Sequence, residues 1–250
     1  MLSERIPRKE SFNILSLRFD MIIFTKDILK KVIFALRRAP AWGPALIFAA
    51  HFTITTTLSS VWGIPLLRDG IGLSQADAVN CIGAYFISMV AGSLVFGILS
   101  DQIHNTRILL IWMMATRSIL LLILAPSLAY QLKLVHIVTV LCILGAIAGG
   151  MVPVLLICLK QIFDSRFIAT ASAINATVAG IMCSVTQPAI AYMLRFFSRN
   201  NFSASIAPTF ELHSYDILIM ILLAFSLFGF VGIKLIGGFL SGEESQQKLF

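Results

Sequence analysis

Charge is scarce in this sequence. Only 12% of its 250 residues are Asp, Glu, Lys or Arg, about half the usage of a soluble domain, which excludes a water-exposed surface over most of the chain. Cysteine is sparse too. Cys81, Cys142, Cys158 and Cys183 fall inside apolar runs without CxxC or Cys/His spacing, which excludes a disulfide framework and the usual zinc sites and leaves them as core filler. Paired acids, a Ser/His/Asp constellation, an HExxH helix and a phosphate-binding loop are all missing, so no enzyme activity, metal or cofactor is expected. Strict alternation of apolar and polar residues is also missing, and with it the signature of a transmembrane β-barrel.

What is present is apolar surface. Hydrophobic residues make up 58% of the chain and mean hydropathy is +0.91. A hydrocarbon core about 30 Å thick needs about 20 apolar residues per helix, and the runs here satisfy that repeatedly. We expect an all-α polytopic membrane bundle of six transmembrane helices, near residues 42–66, 74–99, 108–126, 134–159, 167–194 and 217–236. The expected domains are a basic amphipathic segment over 1–41, the bundle over 42–238 and a polar tail over 239–250. In the first segment Ile28, Leu29, Val32, Ile33 and Leu36 recur at helical spacing against a basic face, which suits a helix on an anionic membrane surface. Glu4, Glu10, Asp20 and Asp27 argue against a mitochondrial targeting peptide.

The net charge of +7 invites a nucleic-acid partner, but its distribution points to the lipid bilayer instead. Arg37, Arg38, Arg107, Lys160, Arg166 and Lys234 stand with the basic N-terminus on one side of the spans, against Arg68, Lys133, Arg195 and Arg199 on the other. By the positive-inside rule both termini are cytoplasmic, in an inner or plasma membrane.

Several residues within the spans stand out. His51 opens a polar, threonine-rich stretch reaching Ser60; backbone back-bonding is the plain reading of the threonines, whereas an intramembrane imidazole faces a bundle interior, a cavity or the headgroups. Ser74-Gln75-Ala76-Asp77 resembles a capping box that starts the second span, and Ala84, Ser88 and Gly92 line one strip of it. Arg117 sits near the middle of the third span. Inserting a guanidinium there costs at least about 2.5–3.5 kcal/mol, so transport or gating, a structural ion pair and snorkelling all remain open for it. The fourth span carries Gly145 and Gly149 in GxxxG spacing, then Gly150 and Pro153, which predicts a kinked, tightly packed helix.

In the fifth span Ala169, Ala173, Ala176, Gly180, Ser184 and Gln187 form one small-residue seam, with Ser172, Asn175, Ala179, Cys183 and Thr186 beside it. Such a helix is expected to be surrounded by protein or cavity. Asn175 and Gln187 are candidates for substrate contact or for interhelical hydrogen bonds. The sixth span, apolar all round, is expected to face lipid. Asn201-Phe202-Ser203 matches a glycosylation sequon, a triplet common by chance.

Between the second and third spans, Gly97-Ile98-Leu99-Ser100-Asp101 resembles the opening of the major facilitator superfamily loop pattern G-x-L-[SA]-D-R-x-G-R-[RK], with Gly97 expected to allow close helix approach. Gln102, His104 and Asn105-Thr106 depart from the pattern and leave Arg107 shifted by one position, a decay typical of the repeat in the second half of these transporters. Residues 61–74 resemble the outer end of that family's seventh helix, and the basic segment before Trp42 its central linker. The resemblance implies one half of a twelve-helix transporter, the C-terminal six-helix half. It further implies that Gly97, Ser100, Asp101 and Arg107 form a gating motif, in which Asp101 caps the fifth helix near Phe167 and pairs with Arg107 or Arg166. A solvated loop is the plain alternative.

The function expected from this resemblance is secondary transport of a small solute by alternating access, once the unit pairs with a second six-helix half or another copy of itself. His51, Arg117, Asn175 and Gln187 are the candidate pathway residues, with the first and fourth helices lining the path. Unpaired, these groups and the fifth-helix seam are expected to face lipid or collapse inward, which would leave the unit poorly stable or oligomeric. The alternative is a truncated or split-gene membrane fragment without transport activity, acting as an interaction subunit or without function. No residue pattern names the solute.

Overall fold

Threonine and proline decide the course of the first helix. In the computed structural model, which describes the backbone of residues 39–102, 105–125, 129, 132–163, 165–200 and 209–247, α1 spans Ala39–Thr56. A π-helical turn at Thr57–Val61, one α-helical turn at Gly63–Pro65 and a second π-helical turn at Leu66–Gly70 follow. Pro65 has no N–H to donate and its ring crowds the carbonyl four residues back, so the regular ladder widens around it. The Trp62 N–H accordingly reaches back five residues to the Thr57 carbonyl at 2.8 Å. The apolar crossing therefore ends at Val61, earlier than the expected Leu66, and the rest forms a widened collar. Gly72, at φ +85°, closes the collar in a conformation that favours glycine.

The capping box is formed. Ser74 Oγ accepts from the Asp77 N–H at 3.1 Å and donates to Asp77 Oδ2 at 2.7 Å, starting α2 at Gln75–Gln102. Asn105 starts α3, Thr106–Ile123, by accepting from the Ile108 N–H at 3.2 Å. α4 follows at Leu134–Ile162, α5 at Ser165–Asn200 and α6 at Thr209–Gln247. Six helices among the described residues are long and apolar enough to cross a membrane, and these residues include no strand. The expected amphipathic helix before Arg38, the sequon at Asn201 and the end of the polar tail lie outside the described residues. Most of that tail continues α6.

Glycine sets the closest helix pair. A Cβ on Gly145 or Gly149 would overlap the Tyr85 or Met89 carbonyl of α2, and one on Gly92 would overlap Ala146 of α4. The expected strips on both helices thus meet, backbone against backbone. α1 packs on α5 and α6, α2 on α4, and α3 on α4 and α6. These main pairings survive exchange of the first three helices with the last three, the mark of a three-plus-three repeat. Ile47 and Ile54, Leu110 and Met114, and Leu141 and Leu144 fill the shared core.

Two helices present faces other than those expected. α6 is not simply a lipid-facing helix, because its buried Ser226 bonds Ser118 of α3 at 2.6 Å and Gly232 lies against Gly43 of α1. A serine and two glycines in an otherwise apolar helix are enough to make one packed side. On α5 the seam is turned outward: Ala169, Ala173, Ala176 and Ser184 are exposed, and a Cβ on Gly180 would meet nothing within 4 Å. The neighbouring strip, Ala171, Asn175, Ala179, Cys183, Thr186 and Ile190, is the buried one. Small residues permit close approach without driving it, and the larger and hydrogen-bonding side chains orient the helix.

Candidate functional site

The polar side chains of the spans converge on α1. His51 and Thr55 lie one helical turn apart, on the same side, and Arg117 reaches both from α3. Its Nη1 donates to His51 Nδ1 at 2.9 Å, and its Nη2 donates to the His51 carbonyl at 3.2 Å and to Thr55 Oγ1 at 3.0 Å. Arg117 is 1% exposed and His51 4%. A guanidinium has no lone pair to offer, so His51 must accept at Nδ1 and carry its proton on Nε2, as the neutral ring. From α2, buried Tyr85 points its hydroxyl at Thr55 beside the Arg117 charge. No carboxylate approaches Arg117 among the described residues.

This cluster is at mid-depth. Arg117 lies about 16 Å along α3 from Thr106 at about 1.5 Å per residue, and His51 stands halfway along the apolar stretch Trp42–Val61. The structure therefore brings together His51 and Arg117, which the sequence marks as candidates, and adds Thr55 and Tyr85, which it does not. The threonines depart from the back-bonding expectation: Thr55 and Thr57 join helices. Thr57 Oγ1 accepts from Gln187 Nε2 of α5 at 2.8 Å, inside the first π-helical turn. Gln187 Oε1 and Thr53 Oγ1 are buried without a partner among the described residues. Asn175 is buried on α5 but forms no hydrogen bond with the cluster among those residues.

His51, Arg117 and Asn175 are thus covered by their own six-helix unit and do not await a partner for burial. α4, expected to line a path, is the most buried of the six helices, while α2 and α5 are the least.

The resemblance motif occupies the α2–α3 junction. Gly97 and Ser100 belong to the last turns of α2, where Ser100 Oγ donates to the Gly97 carbonyl at 2.8 Å. A Cβ on Gly97 would meet nothing within 4 Å, so close helix approach occurs one and a half turns earlier, at Gly92. Asp101 is the next-to-last residue of α2, and Arg107 is exposed at the start of α3. The side chains of Asp101 and Arg166 lie outside the described residues.

At the opposite end of the bundle, Arg68 clasps Asp69 with Nε on Oδ1 and with Nη2 on Oδ2 at 2.7 Å, and its Nη1 reaches Gln75 Oε1 at 3.3 Å. The Arg68 hydrogen bonds, with one from Tyr215, hold the Asp69 carboxyl below its ordinary pKa against the opposing effect of partial burial. This pair ties the α1 collar to the starts of α2 and α6.

The buried cationic cluster thus stands at mid-depth in a six-helix unit with a three-plus-three packing pattern. No curated protein and no solved structure matches the chain significantly. The family model of the Major Facilitator Superfamily matches residues 4–187, well over half of the chain and including α1 to α4. The chain is an integral membrane protein and belongs to the major facilitator superfamily, a family of membrane transporters.

Proposed function

We propose that this chain supplies one six-helix half, resembling the C-terminal one, of a secondary transporter that moves a small solute by alternating access when paired with a second six-helix unit. The observation that carries this reading is the outward face of α5. Ala173, Ala176, Gly180, Ser184 and Thr177 present small or polar groups away from the bundle, and α2 is likewise largely uncovered. In hydrocarbon such a face gains little from lipid and suits close contact with another helix. Rocking of two such units about a mid-depth site is the mode of action the fold implies. The charge asymmetry of the sequence puts both termini in the cytoplasm, and the Gly97–Arg107 motif then stands at the cytoplasmic gate.

The test is reconstitution of the purified chain into vesicles as a demonstrated monomer and, separately, together with a second six-helix unit, with uptake of a solute panel measured beside oligomeric state. Uptake confined to the paired form is expected. Concentrative uptake by the monomer would overturn the half-transporter reading, and no uptake in either form would favour a membrane fragment that acts only as an interaction subunit.

A further inference from the structure

Arg117 is a cation whose protein acceptors are all neutral. Three of its five N–H donors go to His51 Nδ1, the His51 carbonyl and Thr55 Oγ1; Nε–H and the second Nη1–H are engaged by no hydrogen bond among the described residues. The surrounding charged and titratable groups add no negative charge, since His51 is held neutral by the donor it faces and Tyr85 is a phenol. A full positive charge therefore rests at mid-depth with 1% of its side chain exposed, where a counter-charge gains far more than in water.

We propose that this cluster binds the carboxylate of a small monoanionic solute, so that the substrate of the proposed transporter is a monocarboxylate. The inference rests on the transport reading for the word substrate, but binding itself does not. One buried cation matches one negative charge. A phosphate monoester would bring a second charge for which the cluster has no cation, and a neutral solute would leave the guanidinium uncompensated. Nε–H and the second Nη1–H point from different edges of the guanidinium, so a carboxylate takes one of these spare donors at a time and can also accept from the Tyr85 hydroxyl. Thr55 and the His51 carbonyl hold the guanidinium in place and His51 orients it, which are positioning roles. The described conformation covers the cluster, so a solute enters when α1 and α3 part.

The experiment uses the full chain in nanodiscs, titrated calorimetrically with acetate, lactate and benzoate, with lactamide and benzamide as neutral matches and inorganic phosphate as the more highly charged anion. At least one monocarboxylate is expected to bind saturably, its amide and phosphate much more weakly. Arg117→Gln should weaken that carboxylate by about 30-fold or more, because one partner of a desolvated charge pair is removed. Arg117→Lys keeps the charge without the guanidinium and covers the case in which the glutamine variant does not fold; it should bind more weakly yet still prefer carboxylate to amide. Absence of binding by all three monocarboxylates, equal binding of acid and amide, or unchanged affinity in a folded Arg117→Gln protein would overturn the proposal. Because a monomer suffices for binding, a carboxylate that binds but is not taken up by the paired form sinks the transport reading alone, whereas concentrative uptake restricted to neutral solutes sinks the carboxylate alone.

Discussion

A single side chain in a membrane span is read by what satisfies it. Arg117 was legible as a group in need of partners because nothing else in α3 is charged after Arg107. Its partner was not, since His51 stands 66 residues away and no spacing rule links them. Asp69 allows the simplest residue-scale prediction. Its folded pKa lies below the ordinary value of 3.8, chiefly through the Arg68 hydrogen bonds. Folding therefore favours the ionised form, and the contribution is complete above the unfolded pKa and lost as pH falls through the lower folded one. Thermal midpoints of wild type and Asp69→Asn should differ by a constant amount from pH 7 down to about pH 4 and converge below it. A difference that does not change between pH 7 and pH 3 would show that the Arg68–Asp69 pair contributes nothing to the fold.

At the level of elements, glycines that look alike in sequence do different things. Gly149 and Gly97 both interrupt apolar helices, but one is pressed against the α2 backbone and the other faces open space. Gly149→Val should destabilise the protein by about 1–3 kcal/mol or more, since the obstacle is a carbonyl that cannot swing away. Gly97→Ala should be neutral or stabilising by up to about 1 kcal/mol, as expected where alanine meets no neighbour in a helix. Denaturant unfolding in detergent of the two variants checks both, and a Gly149→Val protein as stable as wild type would contradict the α2–α4 seam. The GxxxG pattern of α4 was legible because only small residues allow such contact. The orientation of α5 was not, because it carries two adjacent small strips and only Asn175, the Gln187–Thr57 bond and the apolar neighbours choose between them.

For the whole molecule, the distribution of basic residues bears on its orientation in the membrane. The basic residues of the α2–α3 and α4–α5 junctions, Arg107 and Lys160 among those described as exposed, share an end with the start of α1. In the proposed topology, which follows the positive-inside rule, that end is the cytoplasmic one. A C-terminal reporter should be active inside the cell, and a cysteine introduced at Asp69 should react with an impermeant reagent in intact cells. Reaction at that position only after permeabilisation would invert the topology. The burial of His51, Arg117 and Asn175 within the unit also changes what an isolated chain should do. It need not collapse to hide these groups, and self-association, if it occurs, is expected through α2 and α5.

Composition and apolar run length by themselves determined the membrane class, the helical fold and the number of spans, because hydrocarbon permits few other ways to satisfy a backbone. Local chemistry determined the Ser74 cap and the tight seam at Gly145 and Gly149 for the same kind of reason: each depends on residues within a few positions or on an absence of side-chain volume. Tertiary structure alone decided that Arg117 meets His51, Thr55 and Tyr85, that the threonines bridge helices, and which strip of α5 faces out. These outcomes depend on the rotation of each helix about its axis, and that rotation is a competition among contacts made by all its neighbours at once.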